Sequence, residues 1–317
     1  MFRTSWDRRL IQLLFALVSV YAGVRFAFYL NNLKLGELDV TKPGGVEAYL
    51  PISAFMGLKQ LVTTGSYDFI HPAGLTLLIT FLAVSFVFRR GFCGYICPIG
   101  LLSECVSSAG MSRRLTKWIS IPLSSIKYLI LGYFLFVISS MSARSIDAFL
   151  SSPYNIVADA KMLHFFTNPS VTTGVVILVL AFLTLIVRNF WCRFLCPYGA
   201  LMAIPGIISP MRIVRDEMSC TNCRKCTAVC PGGISVHEKS TVLHPDCIGC
   251  HDCLRVRDNE RCLKMVPKDV SYRHVGLLII AMVTVFIISA MVAGLWESRV
   301  PIEVYRSWLM RLGEISH

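Results

Sequence analysis

Thirteen cysteines stand in a chain of 317 residues, and their spacing is the feature best suited to chemistry. Cys220, Cys223, Cys226 and Cys230 form a C-x2-C-x2-C-x3-C run followed by Pro231. In such a run three thiolates of one tight loop hold a [4Fe–4S] cluster, while the fourth, redirected by the proline, reaches a neighbouring cluster. Cys247, Cys250 and Cys253 supply a second triad; its fourth cysteine, Cys262, follows after a longer stretch and precedes Leu263 instead of a proline. The expected ligand sets are Cys220, Cys223, Cys226 and Cys262 for one cluster, and Cys247, Cys250, Cys253 and Cys230 for the other. Zinc needs only four ligands and leaves the interlocked triads unexplained. An odd number of cysteines bunched at short intervals is also a poor disulfide framework. Two clusters moving one electron each are the expected chemistry.

Four more cysteines fall in an internal repeat. FVFRRGFCGYICPIGLL (86–102) matches LIVRNFWCRFLCPYGAL (185–201) at an offset of 99, pairing Cys93 with Cys192 and Cys97 with Cys196. A proline disfavours helix at the residue before it and suits the first helical turn, so new helices are expected to begin at Pro98 and Pro197. A helix N-terminus and the nearby Arg89, Arg90, Arg188 and Arg193 are expected to favour thiolate at Cys97 and Cys196. Three readings are open for Cys93, Cys97, Cys192 and Cys196: a redox-active dithiol, ligands of a further metal or cluster across the repeat, or a structural or docking element. Cys105, outside the repeat, is expected to be an inert packed thiol.

The elements that must carry these motifs are apolar. Hydrophobic residues make up 55% of the chain and charged ones 16%, against about 25% charged in a soluble domain. Five stretches, roughly 10–30, 69–88, 119–141, 169–188 and 274–296, meet the ~20 mostly apolar residues needed to span a bilayer. The first is too long for a cleaved signal and lacks a small-residue cleavage site. The net charge of +12 is uneven. Arg3, Arg8 and Arg9, then Arg89, Arg90, Arg113, Arg114 and Lys117, then the arginine-rich 189–273 segment alternate with poorer loops holding Lys34, Lys42, Lys59, Arg144 and Lys161. Positive residues mark the cytoplasmic side. The N-terminus and the cysteine-rich segment are therefore expected in the cytoplasm and the C-terminus in the periplasm of a bacterial inner-membrane, multi-pass protein. The basic balance is topology, with no nucleic-acid partner implied.

The expected fold class is a membrane α-helical protein: duplicated two-helix hairpins forming a four-helix bundle, an inserted cytoplasmic two-[4Fe–4S] ferredoxin-like domain, and a fifth C-terminal transmembrane helix. The corresponding divisions are 1–205, 206–270 and 271–317. Residues 51–65 place Ile52, Phe55, Met56 and Val62 on one helical face, and 152–166 are comparably amphipathic, so short interfacial or re-entrant helices are expected in both. The tail 297–317 is expected to form an interfacial helix, with a partner-docking segment as the alternative.

GFCGYICPIG and FWCRFLCPYG, combined with the eight-cysteine segment, resemble the NapH/MauN/NosR-type membrane polyferredoxins over about residues 8–267. The resemblance implies a quinol-linked electron-transfer component or quinol dehydrogenase-like subunit that serves a redox partner protein, or an accessory protein of respiratory maturation. Quinone is a partner by this resemblance only. Two alternatives belong to other classes: metal handling, such as copper reduction, by the CxxxCP thiols, and redox sensing without net electron flow. The fifth span and the stretched Cys253–Cys262 spacing depart from the family pattern.

Several polar residues lie in or near the expected spans. Arg25 and Arg144 are read as snorkelling to the headgroups, with contact to an anion or quinone as the alternative. Lys127 is expected to snorkel. His71 and His164 flank two spans; ordinary interfacial hydrogen bonding is the plain expectation for His71, and accepting a quinol proton the functional one. His251, between two ligand cysteines, is expected to be solvated.

Overall fold

The computed structural model describes residues 6–110, 115–256, 262–267 and 271–314. Arg3, Arg113 and Arg114 of the charge pattern lie outside the described residues. The chain is mostly helical. Three helices, Trp6–Leu35, Trp118–Ser140 and Val275–Val292, are long and apolar enough to cross a membrane. A fourth crossing is made if Ala158–Thr167 and Val171–Ile186, bent by 75° at a short break, are taken as one broken span.

This falls short of the five expected spans for a local reason. The Pro72–Phe88 helix has 17 residues, so it extends about 26 Å against a bilayer core of ~30 Å. It starts only at Pro72, which suits a first helical turn, and it stops before Arg89, held at φ 59°. In the other repeat Asn189 takes φ 52° just beyond Val171–Ile186. Left-handed backbone at a non-glycine residue ends a helix.

Residues pack as two compact units. The first comprises 1–16, 81–132 and 176–283, the second 17–80, 133–175 and 284–317. In the first unit, both CxxxCP segments fold alike. Phe92–Ile96 and Trp191–Leu195 each make one π-helical turn. Cys97 (φ −65°, ψ 118°) and Cys196 (φ −69°, ψ 108°) are then extended, and helices Pro98–Ala109 and Pro197–Ile207 begin at the prolines, as the sequence requires. The Phe92 ring joins the two copies, with centroids 4.3 Å from Phe81 and 5.4 Å from Tyr198. Ser85 Oγ lies 3.2 Å from Met202 Sδ, and Ser209 donates to the Val87 carbonyl at 2.8 Å.

The cysteine-rich segment adds a small antiparallel sheet of order β2-β1-β3, formed by β1 Arg212–Arg215, β2 Thr241–Val242 and β3 Leu263–Val266. Ile213 pairs with both Val242 and Met265. Ile213, Val242 and Leu263 are buried, so this short sheet carries part of the core beneath the cysteine loops.

The second unit has two apolar clusters. Phe26, Tyr29, Leu33, Val157, Tyr305 and Leu309 belong to one; Met56, Ile138, Ile146 and Leu150 form the other. The Ile302–Met310 helix buries Tyr305 and Leu309 in the first cluster. The Pro51–Thr64 helix is present, but its buried side holds Ser53, Ala54, Met56 and Gly57, while Ile52 and Val62 are exposed. Of the apolar stripe read from sequence, Met56 is buried and Phe55 packs beside it, while Ile52 and Val62 fall outside the packed face. Lys59 Nζ donates to the carbonyls of Ile138, Ser139 and Met141 at 2.6–3.0 Å, satisfying acceptors that a helix C-terminus leaves open.

Candidate functional site

The two cysteine triads are built on one backbone pattern, repeated at an offset of 27. Asn222 and Gly249 lie at φ 56° and 63°, and Arg224 and His251 at φ 59° and 60°. Each triad thus has two left-handed residues flanking its middle cysteine, followed by a short helix, Lys225–Ala228 or Asp252–Arg255. Left-handed conformations cost a non-glycine side chain about 1–2 kcal/mol. Three such residues persist here because they turn the loop sharply enough for successive cysteines to face inward. This is strain of the kind concentrated at ligand clamps.

All thirteen cysteines are free thiols. Cys230, Cys247, Cys250 and Cys253 line one cavity, with Pro231 and Ile234 among its walls. Cys262 is brought back beside Cys220 by β3, and Cys226 lies within electrostatic reach of both Cys220 and Cys223. The structure thus brings the out-of-pattern Cys262 back to Cys220 and Cys226, while Cys253 lies within electrostatic reach of Cys230 and Cys247 and also of Cys226. The Asn222 amide and Arg215 hold the Cys220 thiol below its ordinary range. Among the described residues, no three His, Cys, Asp or Glu side chains converge as around a single metal ion. The donor sets, all soft thiols with no carboxylate, suit an iron–sulfur cluster.

Cationic side chains clamp these loops. Arg188 Nη1 donates to the carbonyls of Ala228 and Cys230 at 3.2 and 3.1 Å, and Asn189 Nδ2 donates to Pro231 at 3.3 Å. Arg89 Nη2 donates to His244 at 3.1 Å and Arg90 Nη1 to Pro245 at 3.3 Å. Arg8 is fully buried, donates to Gly94 O at 3.0 Å, and pairs with Glu104 and Asp252. The repeat arginines thus hold the cysteine loops by their main chain, a role the sequence did not disclose. Lys127, expected to snorkel, is fully buried with Nζ 2.5 Å from Asp246 Oδ1. His251, expected in solvent, is also buried, and burial together with Arg8, Arg255 and Arg89 pushes its pKa down to about 4. It is a neutral ring at the loop's left-handed corner.

The four CxxxCP cysteines come together. Cys93, Cys97 and Cys196 all lie within electrostatic reach of Cys192. Arg90 Nη2 stands 3.8 Å from Cys93 Sγ and 3.5 Å from the Cys192 carbonyl, and the Gly199 amide donates to Cys196 Sγ at 3.3 Å. The expected thiolate character is not found. Burial and the neighbouring Cys93 push the Cys97 thiol up to about 12, and the same effects raise Cys196 despite its amide donor and Arg90. Cys105 is exposed and accepts from Arg9 Nη1 at 3.3 Å, contrary to a packed thiol.

In the second unit, Arg25, Arg144 and His164 are exposed, whereas His71 is buried in a polar network absent from the sequence reading. His71 Nδ1 lies 3.2 Å from Glu47 Oε1. Lys42 Nζ bridges Glu47 at 2.9 Å and Asp159 at 2.6 Å.

Family models place a 4Fe-4S binding domain on residues 70–119 and 168–212, and a 4Fe-4S dicluster domain on residues 212–256. The putative electron transport protein YccM of Escherichia coli is 34% identical over 99% of this chain and 92% of its own length. The ferredoxin-type protein NapH of Haemophilus influenzae is 30% identical over 62% of this chain and 70% of its own. The methylamine utilization ferredoxin-type protein MauN of Methylorubrum extorquens is 28% identical over 57% and 61%. No solved structure matches the chain.

Proposed function

Because this chain belongs to the family of ferredoxin-type electron-transport proteins of the membrane, we propose that it relays electrons between the quinone pool and a respiratory partner protein through two [4Fe–4S] clusters. The observation that carries the reading is the grouping of Cys230, Cys247, Cys250 and Cys253 around one cavity, with Cys262 returned to Cys220, Cys223 and Cys226. Those two sets would be the ligands. Each cluster supplies one reversible electron at a potential set by burial and hydrogen bonding around its sulfurs. The chain's own part is to fix the loops, through Arg188, Asn189, Arg89 and Arg90, and to surround them with positive charge that favours the reduced state.

The remaining architecture follows the charge pattern and the repeat: paired hairpins of a membrane bundle, the cysteine segment 206–270 on the cytoplasmic side and the C-terminus in the periplasm. Low-temperature EPR and iron analysis of anaerobically prepared protein test the cluster count; about eight irons per chain are expected. Four or fewer would overturn it. Cluster reduction by ubiquinol or menaquinol, or oxidation of the reduced clusters by the quinones, tests the quinone link.

A second reading is favoured by the meeting of Cys93, Cys97, Cys192 and Cys196 beside Arg90. These four thiols would serve a further cluster or a thiol-based metal-handling step, as in a maturation protein, although they do not converge as around a single metal ion. Metal analysis of Cys93→Ser/Cys192→Ser discriminates. Loss of bound metal with both ferredoxin-type signals intact supports a third site, and an unchanged metal content leaves the four as a structural joint.

A further inference from the structure

Outside every cysteine motif, the second unit holds a half-open cavity of about 460 Å³. Tyr29, Ile156, Met291 and Trp296 give it an apolar and aromatic wall, while Lys42, Glu47 and Tyr305 reach it from the polar side. Behind the polar wall the hydrogen bonds run in two directions. Glu47 Oε1 contacts His71 Nδ1 at 3.2 Å, and His71 Nε2 lies 2.6 Å from the Asn155 carbonyl. Tyr305 donates to Asp159 Oδ1 at 2.8 Å. Lys42 joins both arms through the two carboxylates.

Three features narrow the ligand. Burying this many charges costs more than filling the same space with apolar side chains, which favours a chemical use for the network. Lys42 is already paired with two carboxylates, so the polar wall offers acceptors and repels anions. Glu47 Oε2 accepts the Gly74 amide at 3.1 Å and keeps a lone pair for another donor, as does the Tyr305 hydroxyl oxygen. The complement is a neutral aromatic ring carrying two O–H groups.

We infer that this cavity binds a hydroquinone or quinone headgroup, with Glu47–His71 and Tyr305–Asp159 as two separate proton paths. The inference rests on the quinone-pool reading above and gives it a location. In the oxidative direction both O–H bonds break. One proton passes to Glu47 and, where the His71 ring is neutral with its Nε2–H held by the Asn155 carbonyl, on to His71 Nδ1; the other passes to the Tyr305 oxygen as Tyr305 gives its own proton to Asp159. The two electrons reduce two oxidised [4Fe–4S] clusters by one each. Quinone reduction is the exact reverse.

The test uses the full chain, with clusters in place, in lipid nanodiscs. Binding of decylubiquinone or menadione is read as quenching of the Trp296 component of the fluorescence, isolated by comparison with Trp296→Phe. Electron exchange is read as reoxidation of dithionite-reduced, desalted protein by the same quinones, with ferricyanide as an oxidant that needs no proton. Glu47→Gln and Tyr305→Phe are expected to shift the quenching to higher quinone concentration and, once it is restored, to slow reoxidation by quinone about 100-fold, while ferricyanide, which needs neither residue, reoxidises each variant at the rate of the unaltered protein. Should Glu47→Gln fail to fold, Tyr305→Phe, which removes one oxygen, carries the test. Wild-type quinone rates in Tyr305→Phe, or no quenching of Trp296 in the unaltered protein, overturn the site even if quinone is reduced elsewhere. Quenching without any electron exchange in the unaltered protein overturns the quinone-pool relay and supports the cavity as a binding site alone.

Discussion

Lys127 Nζ lies 2.5 Å from Asp246 Oδ1, and both side chains are buried. The lysine sits in an otherwise apolar membrane-length helix, and the aspartate directly precedes Cys247, the first cysteine of the second triad. Arg90 Nη1 adds a longer contact of 3.4 Å to the same oxygen. Burial alone would raise the Asp246 carboxyl, but Lys127 and Arg90 outweigh it and keep the group ionised. The helix and the cysteine loop are therefore tied by charge as well as by packing.

Replacing Lys127 by leucine leaves the buried Asp246 carboxylate with Arg90 at 3.4 Å and the His244 ring at 3.8 Å as its remaining partners. Removing one partner of a buried pair costs about 3–5 kcal/mol. Lys127→Leu is expected to lower the melting temperature and to release iron from the second triad first. The double variant Lys127→Leu/Asp246→Asn should recover much of that loss, because no unpaired carboxylate remains. A double-mutant cycle by thermal melting, with iron analysis at each corner, checks this. Additive losses would show that the two side chains act independently.

Serine substitution separates the cysteine classes. Cys230→Ser and Cys262→Ser are each expected to remove about four irons, but from different clusters, so their EPR spectra should be complementary. Cys105→Ser should remove none, since that thiol is exposed and meets only Arg9 among its described contacts. If Cys230→Ser and Cys262→Ser abolish the same signal, the crossing of the fourth ligand between the triads is wrong.

What the sequence disclosed and what it concealed divide along local and non-local physics. The helix starts at Pro98 and Pro197 and the two cysteine loops depend on proline and on residue spacing, which any reader of the chain can see. Lys127, His251 and His71 were misjudged or left open because their environment is made by residues far away along the chain: Asp246, Arg8 and Glu47. Hydropathy counted five apolar stretches but could not see that Pro72 delays one helix and that left-handed backbone at Arg89 and Asn189 ends two of them. The thiols of Cys97 and Cys196 were expected to ionise from helix ends and arginines alone. Burial of these thiols beside Cys93 is a tertiary event, and it reverses the expectation.

The Glu47–His71 pair should give the second unit a stability maximum in mildly acidic solution. Although burial opposes both charges, Lys42 and His71 hold the Glu47 carboxyl at about 2, below its ordinary 4.5, and Glu47 raises the His71 ring above its ordinary 6.5. The carboxylate's contribution is complete above pH 4.5 and is lost as pH falls toward 2. The imidazolium's contribution is complete below pH 6.5 and is lost as pH rises through the raised value. Melting followed at Trp296 should therefore be highest between about pH 4.5 and 6.5, and Glu47→Gln should flatten both slopes. A melting temperature that keeps climbing to pH 8 would contradict the pairing.

The two left-handed corners at Asn222 and Gly249 predict unequal responses to substitution. A Cβ on Gly249 would lie 2.5 Å from the Phe88 carbonyl, in a backbone conformation at φ 63° that a side chain resists. Gly249→Ala therefore adds a clash to a conformational cost of about 1–2 kcal/mol, and it should pull the loop away from the end of the Pro72–Phe88 helix. Its expected signature is a lower melting temperature together with faster chelator removal of iron from the Cys247–Cys250–Cys253 site. Asn222 occupies the equivalent corner at φ 56° with an exposed side chain, so Asn222→Gly relieves strain in the folded loop while adding freedom to the unfolded chain. These terms nearly cancel, and a change within about 0.5 kcal/mol is expected, with iron retained. Equal damage from both substitutions would mean that the repeated backbone pattern has no bearing on how the loops hold their ligands.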